Sequence, residues 1–405
     1  MEARPTRRQP RTRSMNLAKL RAWWWHRTGL DGSLCDAEPA AVIERAGWAR
    51  SVGGVGPYLT IFARSGAARA AIDDAVAALE VHELPSARGC TYVLPASDFA
   101  LGLAVGRDFG GAEMKTAARL GVTEQEVDAL GDAVVDALAA GPLDPDAIRQ
   151  ATGSASRSLG EAGKKKGLTT TLPLALGRLQ TRGAIRRVPV NGRLDQQRYA
   201  YARWTPPPEV PAGDAFTELA GRFFRRHGPA TVAEFQWFAG LGVKAAKLAV
   251  EPLGLVPAEP GADRLLLPED AEAYAACQPD DAPRYALVSS LDPIAANRRE
   301  IVTLLDPADR ERVVAVDSGK RPLGGLADLP SHAILDRGRL VGLWEFDPDA
   351  GAIVWATFDG RRDAALDAAV SETESFVRDQ LGDARSFSLD SPKSRRPRIE
   401  ALRAM

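Results

Sequence analysis

Apolar residues three and four positions apart mark helices along most of the chain, and the pattern is clearest in its middle. Thr123 precedes Glu124, Val127, Leu130, Val134 and Leu138, which make one apolar stripe on a helix that Gly141-Pro142 ends. Leu143 to Thr152 reads as a short second helix. Thr171 to Arg182 reads as a third, with Leu172, Leu176 and Leu179 inward, Pro173 in its first turn and Gly183 at its end. Ala184 to Val190 and Arg198 to Arg203 read as strands joined through Asn191-Gly192, a dipeptide that favours a hairpin turn. Three helices followed by a hairpin is the winged-helix pattern.

The segment from Ala215 repeats this order. Phe216, Leu219, Phe223 and Phe224 line a first helix that breaks at His227-Gly228-Pro229. A second helix starts at Thr231 with Val232, Phe235, Trp237 and Phe238 as its apolar side, and Gly240 closes it. Val243 to Glu251 makes the third, and Leu253 to Leu267 can supply a wing. The amino-terminal segment is less regular: helices over Leu17 to His26, Pro39 to Ala49, Leu59 to Arg64 and Ala67 to Leu79, with Gly89 to Leu94 as a β-prone run. Gly53-Gly54-Val55-Gly56 reads as a flexible bend, since no strand and Lys-Ser/Thr context frames it as a phosphate loop. Trp23-Trp24-Trp25 point in three directions on a helix and read as packing residues. After Pro283 short β-type runs take over, at Tyr285 to Ser289, Arg312 to Val316, Leu340 to Phe346 and Ala352 to Thr357.

The expected fold class is therefore α+β, mainly α, with three tandem winged helices and a small barrel-like β-rich terminal domain. The expected organisation is a basic disordered tail over 1–14, winged helices over 15–112, 113–205 and 213–282, a Pro-rich linker over 206–212, the β-rich domain over 283–385 and a disordered basic tail over 386–405. The linker, Thr205-Pro206-Pro207-Pro208-Glu209-Val210-Pro211, is stiff and extended because its prolines forbid a helix.

Composition narrows the chemistry. The 405 residues carry 52 Lys plus Arg against 53 Asp plus Glu, so a polyanion would have to be held by local patches rather than by the net charge of −1. The 3 cysteines and 4 histidines lie far apart with no metal-ligand spacing, so no metal and no cofactor is expected, and a reducing cytoplasm suits the free thiols. Arg4, Arg7, Arg8, Arg11 and Arg13 come without the apolar region of a secretory signal, which suits a tail or an extended start upstream of Met15. No stretch approaches the roughly eighteen apolar residues that span a bilayer, so a soluble monomer is expected.

Several short stretches resemble the winged-helix DNA glycosylases of the AlkZ and YcaQ type. Pro57-Tyr58-Leu59-Thr60-Ile61-Phe62-Ala63-Arg64 is similar to the family's Pro-Tyr-x-x-Leu-Trp-x-Arg stretch, and Arg88-Gly89-Cys90-Thr91-Tyr92-Val93-Leu94 to its Arg-Gly-Thr-x-His-x-x stretch. His227-Gly228-Pro229-Ala230-Thr231 resembles the start of its third winged helix. Leu291-Asp292-Pro293 with Asn297, Arg298 and Arg299 resembles the opening of its terminal β domain. The resemblance implies a concave surface for double-stranded DNA, excision of alkylated or crosslinked bases by cleavage of the N-glycosidic bond, and a cytoplasmic, nucleoid-associated setting.

The family's catalytic Gln-x-Gln or Gln-x-Asp falls here on Arg50 and Val52, and the histidine is replaced by Tyr92. Neither Arg50 nor Val52 can polarise a water: a guanidinium stays protonated and an isopropyl group has no acceptor. Ser51 and Tyr92 are the nearby candidates, and Arg50 suits a phosphate better than an oxocarbenium ion. Expected DNA contacts are Arg50, Tyr58, Arg88, Arg298 and Arg299, together with Lys164, Lys165 and Lys166 before the middle unit's third helix. Arg178 on that helix, with Arg182, and Arg186, Arg187 and Arg193 on the wing complete the patch. Lys244 and Lys247 hold the corresponding helix of the third unit. Asp292 is expected as a buried cap or as a partner for Arg298 or Arg299. Two classes stay open: an active glycosylase and a non-catalytic DNA-binding protein or regulator.

Overall fold

The structure is a computed structural model that describes residues 15–109, 111–209, 213–316 and 319–405. The expected tail over 1–14 and the end of the Pro-rich linker lie outside the described residues.

The chain begins with α1 (Leu17–Arg27), whose first turn is capped by the Asn16 side chain accepting from the Lys19 amide, and α2 (Pro39–Ala46). Then come β1 (Ala49–Arg50), α3 (Gly56–Ser65), α4 (Arg69–Ala77), β2 (Val81–Pro85), β3 (Thr91–Pro95), α5 (Phe99–Gly106) and α6 (Gly111–Ala118). The three strands form an antiparallel sheet in the order β1-β3-β2, with Arg50 opposite Tyr92 and Glu83 opposite Val93.

The middle segment holds α7 (Glu124–Ala137), α8 (Pro145–Thr152), α9 (Gly160–Lys164) and α10 (Leu172–Thr181), followed by the ribbon β4 (Ile185–Pro189) and β5 (Tyr199–Arg203). Thr123 caps α7 by accepting from the Glu126 amide, and Gly183 leaves α10 at φ +70. The ribbon is not closed by a two-residue turn. Its connection runs from Val190 to Arg198 because Leu194 is spent elsewhere: its side chain joins Val55 and Leu59 in a core, and its amide donates to the Tyr58 hydroxyl at 3.0 Å.

The third segment holds α11 (Ala215–His227), α12 (Val232–Ala239) and α13 (Val243–Val250), the short ribbon β6 (Val256–Pro257) and β7 (Leu265–Leu266), and α14 (Ala271–Ala276). Thr231 and Glu234 form a reciprocal capping box at the start of α12. Beyond it lie β8 (Tyr285–Val288), α15 (Pro293–Ala296), β9 (Val313–Val316), β10 (Gly319–Pro322), β11 (His332–Asp336), β12 (Arg339–Asp347), β13 (Ala352–Thr357), α16 (Ala364–Phe376) and α17 (Pro392–Arg403). The main sheet has the open antiparallel order β13-β12-β11-β8, with β9 and β10 as a separate ribbon, so no barrel closes among the described residues.

Both faces of this sheet are covered. Val288, Ala333 and Leu335 pack with Trp23, Trp24 and Trp25 of α1. Leu287, Ile334 and Trp344 alternate to the other face, where Val42, Tyr58, Leu59 and Phe376 meet them. The amino-terminal segment and the terminal sheet thus share two cores. All three tryptophans are core residues, as the packing reading expects. The Gly53 to Gly56 bend is likewise held rather than loose: a Cβ on Gly54 would lie 2.2 Å from the Ser386 carbonyl oxygen.

The last twenty residues are not a disordered tail. Ser391 caps α17, and Arg395 and Arg398 are buried. Arg398 binds Glu345 and Asp390, each at 2.7 Å, and Arg395 lies 2.7 Å from Asp383. Basic residues that look solvated in sequence are ion-pair anchors here.

Asp292 is the buried cap of α15, accepting from the Ile294 amide at 3.0 Å, but its cationic partner is Arg64 rather than Arg298 or Arg299. Removing the carboxylate leaves a buried guanidinium uncompensated, so Asp292→Ala should lower unfolding free energy by about 3–5 kcal/mol. A loss below about 1 kcal/mol in urea titration, within the range of exposed pairs, would show that the pair is not structural.

His82 is packed edge-on between Phe99 and Trp204, and its Nε2 has no hydrogen-bond partner. Burial first, then Arg186 and Arg187, push its pKa from the ordinary 6.5 down to about 3. Between those values the unfolded chain binds a proton that the folded chain refuses, so stability falls as pH drops, by about 1.4 kcal/mol per pH unit for this group. His227 and His332 are shifted the same way and add to the slope. Melting temperature measured from pH 7 to pH 4 should fall less steeply in His82→Phe than in the unaltered chain.

Candidate nucleic-acid interface

A groove of about 1330 Å³ lies between the amino-terminal and middle segments. Arg88 and Gly89 after β2, Arg107 and Phe109 after α5, and Gly111 and Met114 of α6 form one wall. Arg149 of α8, Arg178 and Arg182 at the end of α10, and Arg187 of β4 form the other. Six arginines face three carboxylates, Glu113, Glu124 and Asp146, so the groove is cationic in a chain that is neutral overall.

These cations are held in place by acids on their own side. Arg178 binds Asp128 at 2.9 Å and also Glu124, Arg182 reaches Asp128 at 3.3 Å, and Arg149 reaches Asp146 at 3.0 Å. All are exposed enough to exchange a carboxylate for a phosphate, since such surface pairs are worth about 0–1 kcal/mol. The Arg187 guanidinium lies 5.1 Å from the Tyr199 ring, and its Nε has no hydrogen-bond partner.

The other expected contacts divide. Lys164, Lys165 and Lys166 are exposed at the end of α9, outside the groove lining, with Lys164 paired to Glu161 at 2.6 Å. Arg186 is half-buried beside His82, and burial lowers its pKa. Arg193 binds Asp195 at 2.5 Å and donates to the Leu381 carbonyl, which ties the hairpin loop down. Tyr58 is fully buried, donating to Asp73 at 2.5 Å. Arg298 is 2% exposed, stacked 3.6 Å from the Trp24 ring. Tyr58 and Arg298 have no surface to offer a duplex. Arg299 is exposed, 3.2 Å from Asp328, and shares the Trp237 ring with Arg88, at 5.4 and 3.6 Å. Lys244 and Lys247 are exposed on α13.

The strand at the motif position separates its residues between two faces. Arg50 lies beside Tyr92, its guanidinium 5.8 Å from the ring, and Tyr92 is 1% exposed in an aromatic core with Trp48 and Phe238. That burial removes Tyr92 as a stand-in for the family's histidine. Val52 is half-buried and its carbonyl accepts from the Ser388 amide. Ser51 turns to the opposite face and donates to Glu83 Oε1 at 2.5 Å. Glu83 was not singled out from the sequence. Its one signal is a carboxylate within an otherwise apolar strand, Val81-His82-Glu83-Leu84. Burial pushes its pKa up, opposed by Ser51, Arg187 and Tyr199.

The stretches that carry the resemblance meet in space. Arg64 joins Asp292, His227 Nε2 lies 3.2 Å from Asn297 Nδ2, Asn297 donates to the Trp48 carbonyl, and Arg88 and Arg299 share Trp237. Among the described residues no cluster of three His, Cys, Asp or Glu could hold a metal, and no helix is long and apolar enough to cross a membrane.

Comparison with known proteins fits this geometry. The family model described as DNA glycosylase AlkZ-like matches residues 55–376, beginning after the Arg50 to Val52 stretch. No curated protein sequence matches the chain. Among solved structures, the Streptomyces sahachiroi DNA glycosylase AlkZ is similar over 91% of this chain and 98% of its own, with a TM-score of 0.69 at 20% identity. With a matching family model over most of its length, the chain belongs to the AlkZ-like DNA glycosylase family.

Proposed function

We propose that this protein binds damaged double-stranded DNA as a monomer in the cytoplasm, along the nucleoid, and hydrolyses the N-glycosidic bond of alkylated or crosslinked bases. In this reading the three helix-and-ribbon segments are tandem winged helices, and the groove between the first two takes the phosphate backbone. The observation that carries it is the set of six groove-lining arginines, drawn from both segments onto one DNA-sized concavity. Phosphates displace the carboxylates that now hold Arg178 and Arg182, and the released counterions make binding salt-dependent.

The altered motif sets the substrate. An N7-alkylated purine is cationic and leaves with the glycosidic electron pair as a neutral base, so its removal needs positioning and a polarised water rather than strong acid catalysis. Undamaged purines, which need protonation to leave, stay bound.

Two measurements test this. Duplexes containing 7-methylguanine or an alkyl crosslink should release base in single-turnover assays, and undamaged duplexes should not. Salt-sensitive binding with no release at high enzyme excess would instead leave a non-catalytic damage binder, the reading that Arg50 and Val52 favour. Replacing Arg182 or Arg187 by Ala should lower the slope of log affinity against log salt by about 1 each. An unchanged slope for both would move the duplex out of this groove.

A further inference from the structure

The Glu83 carboxylate beside the motif strand has two buried polar neighbours: the Tyr199 hydroxyl, which hydrogen-bonds with it, and Arg187, whose Nε has no hydrogen-bond partner. The three residues come from β2, β5 and β4, while Ser51, just after β1, binds the carboxylate's Oε1. Ser51 is 2% and Glu83 3% exposed. A buried donor left without a partner, such as Arg187 Nε, costs roughly 1–3 kcal/mol. A water with several partners would satisfy it.

We infer that Ser51 and Glu83 form the water-activating pair of this protein, in place of the family's glutamine motif. The inference rests on the glycosylase reading above. The direction of the Ser51 hydrogen bond decides the chemistry: its proton is committed to Glu83, so toward any other group Ser51 Oγ is an acceptor. It accepts a proton from water and leaves the water oxygen's lone pair for the anomeric carbon. In the reaction the water oxygen bonds to C1′ as the C1′–N9 bond breaks, and the bond's electron pair neutralises the cationic base. The water's proton passes to Ser51 Oγ as the serine proton passes to Glu83, which later returns it to solvent. Ser51 is the group that touches the reacting water. Glu83 positions it and stores the proton.

Access runs through Arg187, which lines the groove on one side and acts on Glu83 on the other. A phosphate in the groove draws this guanidinium outward and opens the carboxylate to the flipped nucleotide. Tyr199 stays beside the carboxylate, its hydroxyl kept protonated by burial first and by the nearby Glu83 charge second.

The charged and titratable groups acting on Glu83 are Arg187 and Tyr199. Ser51, just after β1, hydrogen-bonds to it, while the Arg50 guanidinium of β1 lies on the other face of the sheet. Burial lifts the carboxyl above the ordinary range near 4.3. Because the ionised form is the proton acceptor, release should increase with pH through that raised value and then level off.

The experiment is single-turnover release of 7-methylguanine from a duplex at saturating enzyme, from pH 5 to pH 9. Glu83→Gln and Ser51→Ala should each lower the plateau rate by about 10²-fold or more. Glu83→Gln should also flatten the pH profile, and Glu83→Asp should restore part of the rate and the pH dependence, which a merely structural carboxylate would not do. Melting curves establish that each variant is folded, and Ser51→Ala carries the test if Glu83→Gln is not. An active unaltered chain with both variants within twofold at every pH would overturn the assignment alone. An unaltered chain that releases no base overturns the glycosylase reading and this assignment with it.

Discussion

A guanidinium with no exposed surface joins the two ends of this chain. Arg64, on the last turn of α3, donates from Nε to the Thr28 carbonyl, from Nη1 to the Thr60 carbonyl, and from both Nη atoms to Asp292. Asp292 spends its remaining capacity capping α15. Burying such a pair is favourable only when every donor is used and the fork geometry is kept. The motif strand, the tryptophan helix and the terminal sheet are therefore fixed relative to one another. A site assembled from β1, β2 and the middle ribbon needs that fixity, because its groups come from segments far apart in sequence.

The helices of the middle and third segments that carry their own punctuation were the most legible in the sequence, while α5, α6, α9, α14, α16 and α17 were not read. Thr123, Thr231 and Asp292 cap where a polar side chain stands before an apolar run, and Gly183 and Gly240 end helices in left-handed geometry. The terminal sheet was only partly legible: β11 is buried on both faces, so His332 to Asp336 shows no alternation to read. Its histidine is spent internally, accepting from the Ser290 amide and facing the Ala384 carbonyl. Charge was the least legible property. Arg298, Arg395 and Arg398 have the composition of a solvated surface, yet each is sunk against an aromatic ring or a carboxylate brought from another segment. A cation's burial depends on a partner that local sequence does not contain.

The groove shows the same dependence with the opposite outcome. Arg178 and Arg182 were legible as cations on the third helix of the middle segment, and they do line the cavity. Their pairing with Glu124 and Asp128 of α7 was not, because the two helices meet only in the packed bundle. Pairing of this kind keeps a basic helix face soluble and ordered without polyanion. It also means that binding exchanges one set of ion pairs for another, so the gain comes from counterion release more than from new Coulomb energy.

Alternation along the strand of Arg50 decides which groups each of its side chains can meet. Residues directly opposite in an antiparallel sheet share a face, so Arg50 lies with Tyr92 on one side while Ala49 lies with Val93 and Glu83 on the other. Ser51 continues the alternation and returns to the Glu83 side. The face of Arg50 is filled by the rings of Trp48, Tyr92 and Phe238. The opposite face holds the Glu83 carboxylate, hydrogen-bonded to Ser51 and next to a guanidinium that also lines the groove. The hydroxyl of Ser51 and the carboxylate of Glu83 thus meet on the face that Arg50 does not occupy.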